Sequence, residues 1–438
     1  MQRRERAIRL TVAASVGAKA VSGVCTLAQV PLALRYLGTE AYGLWVTLFS
    51  TVIVLNAVDF GLGVGMQHAM ARAYGNDDME SARRMFWTGI ALLGALGLLV
   101  LAAGLPAALL VPWADVLHLR DPGLRAQAGS ALAVAIAAFV AALPFNAVAR
   151  LAMAVQRGWI HAGWIAAGSC LSLALTACAA LLHWGFLWFV AATLLVPVIQ
   201  GLGLLVHMLG TLAWSARPAP VSPAAEVRGM LRSSLYVAFP QTATALVQSA
   251  PAIAISLAAG SSAVTGYTLL MRLFGPFQQG QMILLNPVWP AYTEAHARGD
   301  HPWVSRTFWR TAAAFLGLAL GVAAAAWWSH PILRLWIGPA AVLSGPRLEA
   351  LTAAWCVMQM AAQPPIYHLM GVGRLRRLAW AATPGLLLSA LALFWAARAG
   401  TVAGVLAAGT AALALALLPL AWESARAMRQ SAGGGPGA

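Results

Sequence analysis

The amino-acid sequence is divided into apolar stretches of about the length that crosses a lipid bilayer. A helix needs about 20 apolar residues, at about 1.5 Å each, to cross a hydrocarbon core about 30 Å thick. Hydrophobic residues make up 61% of the 438-residue chain and charged residues 9%, whereas an average soluble domain has about 25% charged residues. The sequence therefore predicts an all-α polytopic membrane protein.

The apolar stretches predict twelve transmembrane helices in two groups of six. The predicted spans are 8–34, 41–68, 85–113, 126–155, 161–182, 185–212, 233–258, 263–292, 308–337, 347–371, 378–397 and 401–424. A polar, Pro-rich segment, SARPAPVSPAAEVRG, separates the two groups. The predicted domains are an N-terminal six-helix bundle at 1–212, a cytoplasmic linker at 213–232, a C-terminal six-helix bundle at 233–426 and a disordered tail at 427–438.

The basic residues predict the orientation of these helices. If the N-terminus is cytoplasmic, the inside segments carry 20 of the 28 Lys and Arg residues and the outside segments carry 6. Cytoplasmic loops of membrane proteins have an excess of Lys and Arg, so both chain ends are expected in the cytoplasm. The net charge of +15 comes mostly from these loops, and no nucleic-acid partner is expected.

The two predicted bundles resemble each other weakly in sequence. Gly43 aligns with Gly266 at a separation of 223 residues, and Gly75 aligns with Gly299 at 224. Each group of six helices would begin on the cytoplasmic side, so the repeats are parallel and related by an axis along the membrane normal. Transporters of this build bind substrate between their halves. The alternative is that two apolar helical stretches resemble each other by composition alone.

Several motifs resemble those of a known family of bacterial membrane proteins. They are RYLGTEAYGLW (35–45), VDFGLG (58–63), ARAYGNDD (71–78), MAVQRG (153–158) and NPVWPAYTEAHARGD (286–300). In order and spacing they resemble the polysaccharide exporters, the Wzx-like O-antigen flippase branch of the multidrug/oligosaccharidyl-lipid/polysaccharide (MOP) exporter superfamily. The resemblance extends over nearly the whole chain.

This resemblance implies both an architecture and an activity. The architecture is a MATE-like arrangement of two six-helix bundles in a V around a central cavity. The activity is translocation of an undecaprenyl-diphosphate-linked oligosaccharide across the bacterial inner membrane, for O-antigen, capsule or exopolysaccharide synthesis. The implied protein is a monomeric transporter rather than an enzyme, in contact with membrane lipid and with polysaccharide assembly proteins such as a polymerase and a chain-length regulator.

Charged residues inside the predicted spans are candidates for the substrate site. A charge at the centre of a membrane helix costs at least about 2.5–3.5 kcal/mol and is by default functional. Lys19 lies near the middle of the first predicted span and Arg272 about ten residues into the eighth; Arg35 and Arg150 lie near helix ends. Cations in a cavity would pair with a diphosphate and offset the free energy that it loses on dehydration. The alternative is that these side chains reach an interface or pair internally.

Polar and acidic residues supply further candidates. Asp59 could form a structural ion pair, cap the backbone near Gly61–Gly65 or take up protons for coupling. The sequence does not distinguish H⁺ from Na⁺ as a coupling ion, and no cofactor is expected. Gln248, Gln278, Gln281 and Gln363 are candidate sugar contacts, with helix–helix hydrogen bonding as the alternative.

Other function classes remain open. A MATE-like small-molecule or multidrug exporter should carry more intramembrane carboxylates than Asp59 alone. A membrane glycosyltransferase or polymerase would usually show a long outside loop with catalytic residues, whereas the first outside loop is short and has Glu40 as its one acid. The four cysteines form no C-x-x-C pair and the histidines no H-x-x-x-H spacing, so no metal site is predicted.

Overall fold

The computed structural model describes residues 2–56, 62–214, 246–285, 288–338 and 345–432, together with Arg228. Within these residues the chain is nearly all helical and falls into two compact units, 1–238 and 239–438. Almost all of the predicted linker, 213–232, lies outside the described residues and stays a prediction. The last helix continues to Ala432, past the predicted start of the tail at 427.

Helices of the first unit begin and end close to the predicted spans. They are α1 (Gln2–Asn56), α2 (Leu62–Gly75), α3 (Met79–Leu110), α4 (Trp113–Val116), α5 (Pro122–Ala142), α6 (Asn146–Ala154), α7 (Gly158–Leu182), α8 (Phe186–Leu194) and α9 (Val196–Leu212). Gly38, at φ 75°, divides α1 into two parts, each long enough to be a span. This break lies between the first two predicted spans because a glycine adopts positive φ without steric cost.

Helices of the second unit follow the same pattern. They are α10 (Leu246–Ala259), α11 (Ser261–Leu285), α12 (Val288–Ala297), α13 (His301–Trp327), α14 (Ser329–Ile337), α15 (Pro346–Ala361), α16 (Gln363–Gly371), α17 (Leu375–Ala397) and α18 (Val402–Ala432). Eight described helices are long and apolar enough to cross a membrane, which confirms a polytopic, all-α membrane fold.

Two predicted helix starts are wrong for an identifiable reason. Hydropathy places the third and ninth spans from 85 and 308, where the apolar residues begin, but the helices begin at Met79 and His301. Asp78 Oδ1 accepts from the Ser81 amide at 2.9 Å, and Asp300 Oδ1 accepts from the Trp303 amide at 3.1 Å. These N-caps satisfy amides that a helix start leaves unpaired, so each helix gains polar turns ahead of its apolar segment.

The backbone breaks of the first unit recur in the second. Residues with positive φ end helices at matching places, separated by 217 to 222 residues along the chain. The pairs are Gly38 with Gly260, Asp77 with Gly299, His118 with Gly338, Gln156 with Gly373 and His183 with Gly400. Five matched breaks are far stronger evidence for a repeat than the sequence alignment alone.

The structure also corrects the register of that alignment. The sequence pairs Gly299 with Gly75, but Gly75 is the last residue of α2 and the positive-φ residue after it is Asp77. Aspartate is among the few non-glycine residues that adopt this conformation readily. A match that pairs glycine with glycine therefore places the repeat two residues out of register here.

Small and polar side chains hold α1 against α7 in the first unit. Gln29 Nε2 donates to the hydroxyls of Ser172 and Thr176, both at 2.9 Å, and the hydroxyls of Ser22 and Ser169 are 2.7 Å apart. Hydrogen bonds between membrane helices stabilise their packing without a hydrophobic driving force.

The same contact predicts a specific oxidative cross-link. The sulfur atoms of Cys25 and Cys170 are 3.7 Å apart, so a movement of under about 2 Å would bring them to disulfide distance. Copper-phenanthroline treatment of the purified protein should join Cys25 to Cys170, as detected by mass spectrometry of the digested chain. The matched control is Cys178, also on α7: Cys178→Ser should not alter the cross-link, whereas Cys170→Ser should abolish it. A Cys25–Cys178 product in the unsubstituted protein would contradict this packing.

Candidate functional site

Three of the predicted substrate cations lie in the first unit. Lys19 and Arg35 are both exposed on α1, and Arg35 lies just before the break at Gly38. Arg150 is half-buried on α6, where its Nη1 donates to Gln67 Oε1 of α2 at 3.4 Å. Arg150 thus has a partner within its own unit, while Lys19 and Arg35 make no hydrogen bond or ion pair with the described residues. Asp59 lies outside the described residues, so its proposed ion pair and its coupling role stay predictions.

Arg272 is the predicted substrate cation of the second unit. It is half-buried near the middle of α11 and forms no ion pair or hydrogen bond with the described residues. Pro276 lies four residues further along the same helix. Because proline has no amide hydrogen, the regular helical bond to the carbonyl of Arg272 is missing. A cationic side chain and a weakened turn of helix therefore coincide at one position.

Two of the four predicted glutamines connect helices. Gln281 is only 3% exposed and its Nε2 donates to the Met360 carbonyl of α15 at 2.9 Å. Gln278 Nε2 donates to Gln359 Oε1, also on α15, at 3.0 Å. In this conformation both side chains form helix–helix hydrogen bonds rather than facing a sugar site. A polar group inside a membrane needs such an internal partner.

The other two glutamines line a small cavity within the second unit. Its volume is about 20 Å³, which is enough for a water molecule but too small for a sugar ring. Gln248 and Gln363 contribute to its wall together with Gln359. The remaining lining residues are Val247, Ala362, Ile366, Leu386 and Leu413.

Sequence reasoning missed Gln359, which connects these features. It accepts from Gln278, and its Nε2 lies 3.4 Å from the Val247 carbonyl of α10. The spacing of Gln359 and Gln363, four residues apart, was a signal that could have identified it, because such residues share a helix face. The result is a polar region formed by α10, α11, α15 and α16.

Acidic residues lie at helix ends in the part of the chain that the structure describes. Glu349 is in the first turn of α15 beside His330, with 3.4 Å between Oε1 and Nδ1. Glu423 is near the end of α18 and Glu294 near the end of α12. No described carboxylate occupies the middle of a span, and no described group of three His, Cys, Asp or Glu residues could hold a metal ion.

Comparison with solved structures identifies the fold. The chain matches an inward-facing multidrug resistance MATE family transporter of the MOP superfamily at TM-score 0.69 and 16% identity, covering 93% of this chain and 96% of the other. It matches a MATE in complex with MaD3S at TM-score 0.63 and 17% identity, covering 98% and 97%. No protein-family model and no curated protein matches the chain.

A third similar structure is a MOP superfamily transporter from Pyrococcus furiosus, described by a reverse polarity of its binding pocket that suggests a different function. The match has TM-score 0.66 and 17% identity and covers 98% of this chain and 96% of the other. At these identities the likeness shows the fold alone: this multi-pass membrane protein has the twelve-helix fold of MATE transporters.

Proposed function

We propose that this protein is a flippase. It translocates an undecaprenyl-diphosphate-linked oligosaccharide from the cytoplasmic to the outer leaflet of the bacterial inner membrane by alternating access. The product serves the synthesis of a surface polysaccharide: O-antigen, capsule or exopolysaccharide. Both chain ends lie in the cytoplasm, as the distribution of arginines predicts.

The observation that carries this proposal is the state of Arg272. An arginine inside a membrane helix is costly and is normally compensated by a partner. Arg272 lies in the predicted span 263–292 and makes no ion pair or hydrogen bond with the described residues, and we infer that its partner is an anionic ligand. A diphosphate suits this role because guanidinium binds phosphate oxygens through two parallel hydrogen bonds.

The positions of the acidic residues also favour an anionic cargo. A transporter of organic cations needs negative charge inside the membrane, but the described carboxylates lie at helix ends. The Pyrococcus protein, whose pocket polarity is described as reversed, indicates that the fold accommodates more than one polarity of pocket. The glutamines around Gln359 would provide uncharged hydrogen-bonding groups for sugar hydroxyls as the cavity opens.

The second candidate is a small-molecule exporter. Its support is the likeness to structures described as multidrug resistance MATE transporters. The two candidates differ in the charge of the cargo, because one requires intramembrane cations and the other intramembrane carboxylates.

Complementation of a bacterial strain separates these candidates. The strain lacks its own polysaccharide flippase but retains the glycosyltransferases and the polymerase of that pathway, and a second strain lacks its dye exporters. We expect expression of this protein to restore surface polysaccharide in the first strain and not to lower ethidium accumulation in the second. Lower ethidium accumulation without restored polysaccharide would favour the exporter and sink the proposal.

A further inference from the structure

Five arginines, none of them a candidate for the intramembrane site, lie together at one end of the second unit. Three are at the start of α17 and two near the end of α18: Arg374, Arg376, Arg377, Arg426 and Arg429. This end of both helices is the one predicted to be cytoplasmic. Together the five residues form an arginine patch.

Hydrogen bonds hold two of these guanidinium groups close together. Arg374 Nη1 donates to Gln430 Oε1 at 2.8 Å, and Arg377 Nη1 lies 3.5 Å from the same oxygen. The patch has one carboxylate, Glu423, whose oxygens are 3.8 Å from Nη1 of Arg377 and 3.8 Å from Nη1 of Arg426. Both ion pairs exceed hydrogen-bond length, so Glu423 compensates the charges of Arg377 and Arg426 only weakly.

The charges of the patch act on one another. Burial lowers the pKa of Arg374, and the positive charges of Arg377 and Arg426 lower it further, while Glu423 opposes them. Arginine nevertheless stays protonated in proteins. The patch therefore carries a positive potential that its own carboxylate leaves largely uncompensated.

An exposed aromatic side chain lies beside the patch. Trp422 is 60% exposed, and the guanidinium carbon of Arg426 lies 5.2 Å from its ring centroid. Tryptophan concentrates where lipid headgroups meet the hydrocarbon core, and a cation over its ring is favourable. We therefore expect the arginines to lie at the depth of lipid phosphates.

The repeat shows that the packing of these helices does not require this density of arginine. Arg374 corresponds to Arg157, 217 residues earlier, which follows the matching helix break and donates to the Thr211 carbonyl at 2.9 Å. Both arginines thus bind near the end of the last helix of their unit. At the same separation, the other four arginines of the patch correspond to apolar residues: Trp159, Ile160, Leu209 and Leu212.

We propose that the arginine patch binds the phosphate headgroup of a lipid in the cytoplasmic leaflet. This inference rests on the proposed function, under which the expected occupant is the diphosphate of the lipid-linked substrate before translocation. Two phosphate groups can accept bonds from several guanidinium groups at once. Basic pockets between helix ends on the cytoplasmic side of membranes are suited to such headgroups.

The test is equilibrium binding to the full-length protein in phosphatidylcholine nanodiscs. The variant is Arg376→Gln/Arg377→Gln/Arg426→Gln, and the matched control is Arg398→Gln, an exposed arginine just past the opposite end of α17. The probes are a fluorescent prenyl diphosphate, cardiolipin and inorganic diphosphate. We expect the Kd for prenyl diphosphate to rise about tenfold or more in the triple variant and to stay unchanged in Arg398→Gln. Arg376→Gln alone, at an exposed residue, provides a second variant that should fold and should bind more weakly.

Each outcome bears on the inference. If the triple variant binds prenyl diphosphate more weakly but cardiolipin normally, the patch binds the substrate. If the triple variant binds only cardiolipin more weakly, the patch binds bulk phospholipid. Equal affinities of all variants for every probe would overturn the inference. A patch that binds prenyl diphosphate in a protein that does not translocate it would instead refute the proposed function and leave the inference standing.

Discussion

Replacing Arg272 by glutamine is expected to reduce translocation of the lipid-linked oligosaccharide by about tenfold or more. A hydrogen bond to a charged group contributes about 1.5–3 kcal/mol, which corresponds to factors of about 10 to 150 in rate if it acts on the crossing step. Removing the charge also removes the cost of placing it in the membrane. The amount of folded Arg272→Gln protein should therefore not fall, and its transport rate is the quantity to measure.

Two further variants make this result specific. Arg272→Lys keeps the charge but loses bidentate geometry, so we expect an intermediate rate. Arg398→Gln removes an exposed arginine from the same unit and should transport at the wild-type rate. Transport by Arg272→Gln at the wild-type rate would show that the Arg272 charge does not act on the cargo, and would contradict the argument for the proposed function.

Replacing Gly385 by leucine is expected to prevent the second unit from folding stably. A Cβ atom at Gly385 would clash with the Ala416 side chain and would lie 2.8 Å from the Ala416 Cα. The obstacle is backbone rather than a flexible side-chain end, so α17 and α18 would have to separate. Overpacking usually costs about 1–3 kcal/mol, and membrane helices that pack through small residues depend on close backbone approach. We expect a several-fold loss of monodisperse protein in size-exclusion chromatography and a lower Tm.

Gly317 provides the matched control for this prediction. It lies in α13 of the same unit and is exposed, and a Cβ atom added there would meet no described neighbour within 4 Å. Leucine forms helices better than glycine, so Gly317→Leu should be neutral or slightly stabilising. A Tm of Gly385→Leu equal to that of Gly317→Leu would show that the contact between α17 and α18 is looser than described.

The helices are predictable from sequence because their signal is local. Apolar stretches of span length predict where the chain is helical, and glycine at position 38 marks the division of α1. The predicted starts of α3 and α13 are wrong because the N-caps at Asp78 and Asp300 are polar and hydropathy ignores them. The predicted register of the repeat is wrong near Asp77 because a backbone conformation, not a residue type, is what the two units share.

The candidate site is less predictable because it depends on packing between distant segments. The position of Arg272 in the sequence identifies it as unusual, but nothing local shows that Gln281 bonds to the Met360 carbonyl across 79 residues of chain. The contacts of Gln359 are equally remote, because its partners are 81 and 112 residues away. In the sequence the arginine patch is only a topology signal, and the fold is what brings Arg374 and Arg377 onto Gln430.

Reconstitution of the purified protein tests the central claim most directly. Proteoliposomes would contain a fluorescent prenyl-diphosphate-linked oligosaccharide in one set and ethidium in another, under imposed H⁺ and Na⁺ gradients. The proposed function predicts that the lipid-linked oligosaccharide changes leaflet at a rate that depends on Arg272, while ethidium is not moved. Transport of ethidium together with no change in the leaflet of the lipid-linked oligosaccharide would contradict it.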